Sequence, residues 1–322
     1  MLSSSQEEIR KMHSSKTVIA TTSSFAKESP EVLELMKNNG LTVVQNPWGR
    51  KLSEEELSKV LEECEPVGML AGTEPITRSV LEKARGHLRV ISRVGVGWEN
   101  VDRVFAEQLG IQVYRTAGVL NEAVAELTIG LVLSALRSIS SNDRLIRQGK
   151  WQKTMGGLLS EKVVGIIGFG NIGRTVGKLV NAFGAIVIYY DPQPTSVSWA
   201  QEVSLADLLT QAEIITIHAG GSEQILGKAE LKKIRKQGVI LVNTARGGLV
   251  DESALQDCLM EGKVSFACLD VFENEPYCGP LCSLENVIMT PHIGSYAREA
   301  RVLMEHAAVK NLIKGLNEIG IL

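Results

Sequence analysis

Short apolar runs alternate with longer amphipathic stretches in the first part of the chain. The runs are four to six residues long and rich in Val and Ile, which favours strands. The stretches between them have apolar residues at helical spacing, and Pro30 and Ser53 mark two of the predicted helix starts. Strands that alternate with helices are typical of parallel sheets with helical crossovers. The predicted strands span residues 17–22, 41–45, 67–70, 88–92 and 111–114.

A second strand–helix series begins at Val163, after a long apolar pattern, NEAVAELTIGLVLSALRSIS. That pattern predicts one helix that is buried on several sides. The strands of the second series end in small or polar residues, and ligands of open parallel sheets bind beyond the carboxyl ends of strands. These strand patterns are VVGIIGFGNIG, IVIYYD, EIITIHAG, GVILVNTARG, VSFACLDV and NVIMTPHIG, followed by a last predicted helix, YAREARVLMEHAAVKNLIKGL.

Composition narrows the class of protein. A length of 322 residues fits two domains, and a net charge of −3 makes nucleic acid and anionic membranes unexpected partners. The polar first residues, MLSSSQEEIRKMHSSK, lack the apolar segment of a secretory signal, and no apolar run reaches the roughly 20 residues of a membrane span. The five cysteines form no CxxC pair, so we expect a cytoplasmic protein with no metal site.

The most informative motif is GFGNIG at 168–173. It follows a strand pattern and precedes a helix pattern, and Asp191 stands 18 residues after Gly173, so the parts of the dinucleotide fingerprint occur in order. Gly168 would allow the tight turn, Gly170 the approach of a pyrophosphate, and Gly173 the packing of helix on strand. The carboxylate of Asp191 would accept hydrogen bonds from the adenosine ribose, which favours NAD over NADP.

Three polar residues at strand ends could act together on an acid substrate. Arg246 lies in NTARGG, Glu275 follows LDVF, and His292 lies in TPHIG. Histidine supplies an acid/base near neutral pH, a carboxylate orients and charges it, and arginine binds and polarises an acid. A single histidine at a strand end can equally have a structural role. An arginine, a glutamate and a histidine that all follow a nucleotide-binding motif favour a catalytic role.

These motifs resemble the D-isomer-specific 2-hydroxyacid dehydrogenase family, together with RVGVGWENVD and AVAELTIGLVL. The segments AGTEPIT and PHIGSYAREA look most like bacterial D-3-phosphoglycerate dehydrogenases. The resemblance implies an α/β fold of two doubly wound parallel-sheet domains. They are a flavodoxin-like substrate domain of residues 17–115 plus 296–322 and an inserted Rossmann NAD-binding domain of residues 116–295. It also implies a cleft that closes on the substrate and a homodimer formed through the NAD-binding domain.

The resemblance implies a role for each motif residue. His292 matches the general acid/base, Glu275 its carboxylate partner and Arg246 the substrate-orienting arginine. The cofactor is NAD, and its expected contacts lie in the strand-end loops and in one loop of the first domain. These contacts are Gly168, Gly170, Asn171, Ile172, Gly173, Asp191, His218, Thr244, Ala245, Asp270, Gly294 and Val96.

The resemblance also implies how the substrate is held. The backbone amides of Val94, Gly95 and Val96 are expected to bind the substrate carboxylate, and Arg93 matches a substrate-anion position. The implied reaction is hydride transfer between NAD and C2 of a small D-2-hydroxy acid or 2-oxo acid. The first choice is 3-phosphoglycerate, the substrate of the first step of serine biosynthesis.

Two guanidinium groups, those of Arg93 and Arg115, would suit a substrate phosphate. The alternative is that Arg93 pairs with a local carboxylate, Glu99 or Asp102, and that Arg115 is solvated. The sequence then fits a glyoxylate or hydroxypyruvate reductase, or another D-2-hydroxyacid dehydrogenase. A different class is an NAD-sensing, corepressor-like binding protein on the same scaffold.

Overall fold

The computed structural model describes residues 16–193 and 196–322. The chain divides into two compact units, one that ends at Val119 and resumes over Arg298–Leu322, and one that spans Leu120–Ala297. Each unit is built on its own parallel sheet and has its own apolar core. The predicted fold class, two parallel-sheet α/β domains, is confirmed.

The first unit contains a parallel sheet with the strand order β2-β1-β3-β4-β5, the flavodoxin-like order. Polar loops at the carboxyl ends of these strands carry the predicted substrate residues. The strands are β1 (Thr17–Ala20), β2 (Thr42–Gln45), β3 (Gly68–Ala71), β4 (Val90–Arg93) and β5 (Gln112–Arg115). The helices between them are α1 (Glu31–Asn38), α2 (Glu54–Cys64), α3 (Arg78–Lys83) and α4 (Arg103–Gln108).

The predicted cap at Ser53 is confirmed. Its hydroxyl accepts a hydrogen bond from the amide of Glu56 at 3.2 Å, and the carboxylate of Glu56 accepts the amide of Ser53 at 2.9 Å. This reciprocal pair satisfies two helix-end amides, which fixes where α2 begins. The apolar side of α2 then packs into the core through Leu57, Val60 and Leu61.

The second unit has the strand order β12-β11-β10-β9-β6-β7-β8, which is the Rossmann order extended by one strand. Its chain starts with α5 (Asn121–Leu136) and α6 (Ile139–Arg147). The sheet then forms from β6 (Val163–Ile167), α7 (Asn171–Ala182), β7 (Ile186–Tyr190), β8 (Gln201–Glu202), α8 (Leu205–Gln211), β9 (Ile214–Ile217), α9 (Lys228–Lys232), β10 (Val239–Asn243), α10 (Glu252–Met260), β11 (Val264–Leu269) and β12 (Val287–Met289).

The sequence analysis predicts a single helix for the long apolar pattern before the second series. In the structure, two helices, α5 and α6, form there with a bend between them. Ser138 adopts a φ of +50°, which ends the first helix, and the two axes differ by 62°. Helix α5 is largely buried against α7 and β10, which accounts for its apolar composition. No single described helix is long and apolar enough to cross a membrane, and only this bent pair passes by length and composition.

The last helix, α11 (Arg298–Glu318), returns to the first unit. The hydroxyl of Ser92 on β4 donates to the carbonyl of Ala308 at 2.8 Å. Two glycines let the helix and the sheet approach, because a Cβ at Gly68 or Gly315 would come within 2.8 Å of Leu312 or Tyr114. The C-terminal helix therefore packs on the sheet of the first unit.

Candidate active site

The glycine-rich turn between β6 and α7 fits a bound dinucleotide. Gly168 has a φ of +88°, and a side chain there would collide with the backbone of Ala219. A side chain at Gly173 would collide with the carbonyl of Gly168, so glycine lets the helix start against the turn. A Cβ at Gly170 would instead face open space. A pyrophosphate would occupy that space, against the amides of the first α7 residues.

Asp191 follows β7, and the glycine-rich turn holds its carboxylate in place. Oδ2 accepts the amide of Phe169 at 2.6 Å, and Oδ1 accepts the amide of Gln193 at 2.8 Å. Each oxygen keeps a further acceptor position, so the carboxylate can also accept a ribose hydroxyl. A cofactor 2′-phosphate would bring a second anion to the same place.

We expect a preference for NADH over NADPH of about 30- to 150-fold in kcat/KM, because an unpaired like charge costs roughly 2–3 kcal/mol. Asp191→Ala should remove most of this preference. Glu223→Ala is the matched control, since Glu223 is an exposed carboxylate of the same unit. The ratio is measured with one 2-oxo acid and each cofactor. Equal kcat/KM for both cofactors in the unmodified protein would contradict the assignment.

Further predicted cofactor residues follow β9 and β10. The His218 Nε2 lies 2.9 Å from the hydroxyl of Thr216, and its buried Nδ1 has no partner in the described part of the chain. Burial lowers the pKa of His218 to about 3, so the ring is neutral near pH 7. Buried polar atoms are normally paired, so Nδ1 fits a site that a cofactor completes. Thr244 is buried, with its hydroxyl 2.9 Å from that of Thr128, and Ala245 follows it.

His292 and Glu275 lie side by side. Nδ1 of His292 is 2.9 Å from one carboxylate oxygen of Glu275, whose other oxygen accepts the amide of Phe272 at 3.1 Å. This contact leaves Nε2 of His292 for proton exchange with a substrate. The same contact holds the imidazole ring in one orientation. The backbone of His292 has a φ of +55°, a strained value of the kind that clusters at functional sites.

Asp270 is fully buried and holds the loop that carries His292. Oδ1 accepts the hydroxyl of Thr290 at 2.5 Å and the amide of Ile293 at 2.8 Å, while Oδ2 accepts the amide of Gly294 at 2.8 Å. A Cβ at Gly294 would approach Oδ2 to 3.1 Å, so glycine lets the loop close on the carboxylate. The resemblance implied cofactor contacts for Asp270 and Gly294, and the structure shows in addition that both residues position the His292 loop.

We expect Asp270→Asn to lower kcat by about 10²-fold, because an amide NH₂ would face a donor and displace His292 by a fraction of an ångström or more. NADH binding should change by no more than a few-fold. Steady-state kinetics and a fluorescence titration measure the two effects. Asp257→Asn, on the exposed side of α10, is the control. Thr290→Val tests the same network if the first variant folds poorly, and wild-type kcat in both would contradict the positioning role.

Arg246 lies in the turn after β10, and this turn packs on the segment that leads to Glu275. The side-chain amide of Asn243 donates to the carbonyl of Arg246 at 2.8 Å, which fixes the turn. A side chain at Gly247 would collide with the backbone that precedes Glu275 by three residues. The turn that carries Arg246 and the loop that carries Glu275 therefore pack against each other, in the unit that also contains His292.

The predicted carboxylate-binding loop of the first unit has two of its amides occupied. The Val94 amide donates to a β3 carbonyl at 2.9 Å, and the Gly95 amide donates to the hydroxyl of Thr116 at 3.0 Å. The amides of Val96 and Gly97 donate to no acceptor in the described residues. Of the three amides that the resemblance assigned to the substrate carboxylate, that of Val96 remains open, and the open amide of Gly97 is one that the sequence analysis did not name. The second glycine of RVGVG was the available signal.

Arg93 ends β4 and is 8% exposed. Its guanidinium donates to the carbonyl of Val94, and a Cβ on Gly95 would collide with it. Arg93 therefore stabilises the turn of the loop. The resemblance also implied that Arg93 binds a substrate anion. Asp102, one of its candidate partners, accepts the amide of Phe105 at 3.0 Å as the N-cap of α4.

The comparison with known proteins agrees with this geometry. Residues 129–294 match the NAD-binding domain of the D-isomer specific 2-hydroxyacid dehydrogenases. A hydroxypyruvate reductase from Thermotoga maritima is 38% identical over 280 residues, which cover 84% of this chain and 90% of that protein. This chain belongs to the D-isomer-specific 2-hydroxyacid dehydrogenase family. It is an NAD-dependent oxidoreductase of 2-hydroxy acids.

Relatives of this dehydrogenase have several different activities. A D-3-phosphoglycerate dehydrogenase from Archaeoglobus fulgidus is 37% identical over 302 residues, but these cover 89% of this chain and only 56% of that protein. The chain spans about half the length of such relatives. The structure of a glyoxylate reductase from Paecilomyes thermophila matches with a TM-score of 0.84 and 29% identity, over 97% of this chain and 98% of that one. The relatives therefore belong to several subgroups of the family. The motifs suggested a closer likeness to phosphoglycerate dehydrogenases, and the comparisons do not single out that subgroup.

Proposed function

We propose that the enzyme transfers a hydride between NAD and C2 of a small D-2-hydroxy acid or its 2-oxo acid, and that the acid carries a second anionic group. The first choice is 3-phosphoglycerate and 3-phosphohydroxypyruvate, the pair of the first step of serine biosynthesis. The contact between His292 and Glu275, 2.9 Å long and beside the turn of Arg246, carries the catalytic part of the proposal.

Each residue of this site has a distinct task in the proposed reaction. Bound NADH supplies the hydride for reduction. Nε2 of His292 donates a proton to the oxygen on C2 during reduction and accepts it during oxidation. Arg246 offers a fork of donors to the carboxylate and the reacting carbonyl. The amides of Val96 and Gly97 offer further donors to the carboxylate.

A second candidate is a hydroxypyruvate or glyoxylate reductase. The observation that favours it is the likeness to a hydroxypyruvate reductase, which is 38% identical over 280 residues. A third possibility, an NAD-sensing binding protein, would keep the fold but show no turnover. The first two candidates share the residues His292, Glu275 and Arg246, and they differ only in the far end of the substrate.

A substrate panel tests the proposal. The rate of NADH oxidation is measured with 3-phosphohydroxypyruvate, hydroxypyruvate and glyoxylate, and kcat/KM is compared. We expect the highest value for the phosphorylated acid. Higher values for either unphosphorylated acid would assign the enzyme to the second candidate. No oxidation with any of the three would contradict hydride transfer to small 2-oxo acids and favour the binding protein.

We also propose a cytoplasmic homodimer. Large apolar side chains are exposed on α6 and the segment after it, among them Ile139, Ile146, Leu158, Trp151 at 86% and Met155 at 96% exposure. Exposed apolar side chains that recur along one segment favour contact with a partner chain. Light scattering should give about 70 kDa, twice the 35.0 kDa of one chain. A mass of one chain at micromolar concentration would contradict the dimer.

A further inference from the structure

Trp98, in the loop after β4, lies against two arginine side chains. The guanidinium carbon of Arg103 is 4.0 Å from the centre of the indole ring, and that of Arg115 is 4.3 Å from it. The two guanidinium carbons are therefore no more than about 8 Å apart. Both arginines are exposed, and Trp98 is half-buried. We call these three residues the Arg–Trp–Arg stack.

The two positive charges of the stack have no ionic partner in the described part of the chain. No carboxylate there forms an ion pair with Arg103 or Arg115. The neighbouring carboxylate of Asp102 is engaged as the N-cap of α4. A guanidinium that stacks on an aromatic ring keeps its N–H edges for other acceptors. The indole thus places two forks of donors within about 8 Å of each other, and a dianion at the edge of the stack would neutralise their charge.

The stack adjoins the amides that we assign to the substrate carboxylate. One guanidinium nitrogen of Arg115 is 3.5 Å from the carbonyl of Val96, and Trp98 follows Gly97 directly. Arg115 ends β5 and is paired in register with Arg93 at the end of β4, while Arg103 is the first residue of α4. All these residues lie at the carboxyl edge of the first sheet, within one unit.

We propose that the Arg–Trp–Arg stack binds a second anionic group of the substrate, a phosphate or a carboxylate carried beyond C2, and so selects doubly anionic 2-oxo acids. This inference rests on the proposed function, to which it adds the residues that choose the substrate. The carboxylate on C1 meets Val96 and Gly97, and the far anion meets Arg103 and Arg115. Trp98 orients both guanidinium groups and is a positioning residue.

The test compares substrates that differ in the far group, namely 3-phosphohydroxypyruvate, oxaloacetate and hydroxypyruvate. In Arg103→Gln and Arg115→Gln, kcat/KM for the preferred anionic acid should fall at least about tenfold, mainly through KM. The value for hydroxypyruvate should change less than about threefold. Arg115→Lys should retain part of the preference, because it keeps the charge and loses the fork. Whichever anionic acid shows the selective loss identifies the far group.

Arg78→Gln is the matched control, since Arg78 is also exposed and stacks on Phe105 at 4.4 Å in the same unit. It should leave all three values unchanged. Equal losses of kcat/KM for hydroxypyruvate and for the anionic acids in the stack variants would overturn the inference. Such losses would show that the arginines stabilise the loop and do not recognise the far anionic group. A preference of the unmodified enzyme for hydroxypyruvate would also overturn it, while hydride transfer stands. Failure to oxidise NADH with any acid would overturn the proposed function itself.

Discussion

Replacing His292 by Asn should lower kcat by about 10²- to 10⁴-fold while NADH binding stays within a few-fold of the unmodified value. The variant keeps a polar side chain of similar size, but it has no group that exchanges a proton near neutral pH. The loss therefore falls on the chemical step. Steady-state kinetics give kcat, and quenching of protein fluorescence gives the dissociation constant of NADH.

Glu275 should act through His292. Glu275→Gln alone should lower kcat, and the double variant with His292→Asn should show much less than the product of the single effects, because the two side chains work as a unit. His306→Asn is the matched control, since His306 also contacts a carboxylate, that of Glu31, at 2.9 Å. It should leave kcat unchanged. Additive losses, or a wild-type kcat in His292→Asn, would remove the pair from the mechanism.

The largest effect on stability is expected at Glu305 of α11, which is 0% exposed. Its carboxylate lies 2.9 Å from a guanidinium nitrogen of Arg301 and accepts the amide of Ala26 at 2.9 Å and the hydroxyl of Ser29 at 2.6 Å. Glu305→Ala leaves the Arg301 charge buried and removes acceptors from the loop after β1. We expect the free energy of unfolding to fall by about 3–5 kcal/mol.

Urea denaturation, followed by circular dichroism, measures this loss. Glu299→Ala removes an exposed carboxylate from the same helix and should cost no more than about 0.5 kcal/mol. Glu305→Gln keeps the shape and one acceptor, so its loss should lie between those of the two alanine variants. A loss for Glu305→Ala no larger than that of Glu299→Ala would show that the buried pair contributes nothing.

Features set by neighbours in the sequence were predictable. Ser53 and Glu56 cap α2 because the two residues stand three apart, and that spacing is visible in the sequence. The turn geometry at Gly168 and Gly173 was predictable too, because the spacing of the glycines in the dinucleotide motif is visible in the sequence. The alternation of strand and helix predicted the parallel sheets, since short Val- and Ile-rich runs alternate with stretches of helical spacing.

Features set by contacts between distant segments were not predictable. Thr116 accepts the amide of Gly95 from 21 residues away, so the local sequence could not show that this amide of the RVGVG loop already has an acceptor. Asp270 reaches the His292 loop across 20 or more residues, and nothing in the local sequence indicates these hydrogen bonds. The break at Ser138 lies in an apolar pattern that has no glycine or proline at that point.

Isotope transfer tests the central claim most directly. NADH with deuterium at both C4 positions is incubated with the best 2-oxo acid of the panel, and the product is analysed by mass spectrometry and chiral chromatography. The account predicts a D-2-hydroxy acid with one deuterium on C2, formed by the unmodified enzyme and at least about 10²-fold more slowly by His292→Asn. A product without deuterium on C2, a product of L configuration, or no product from any acid would contradict it.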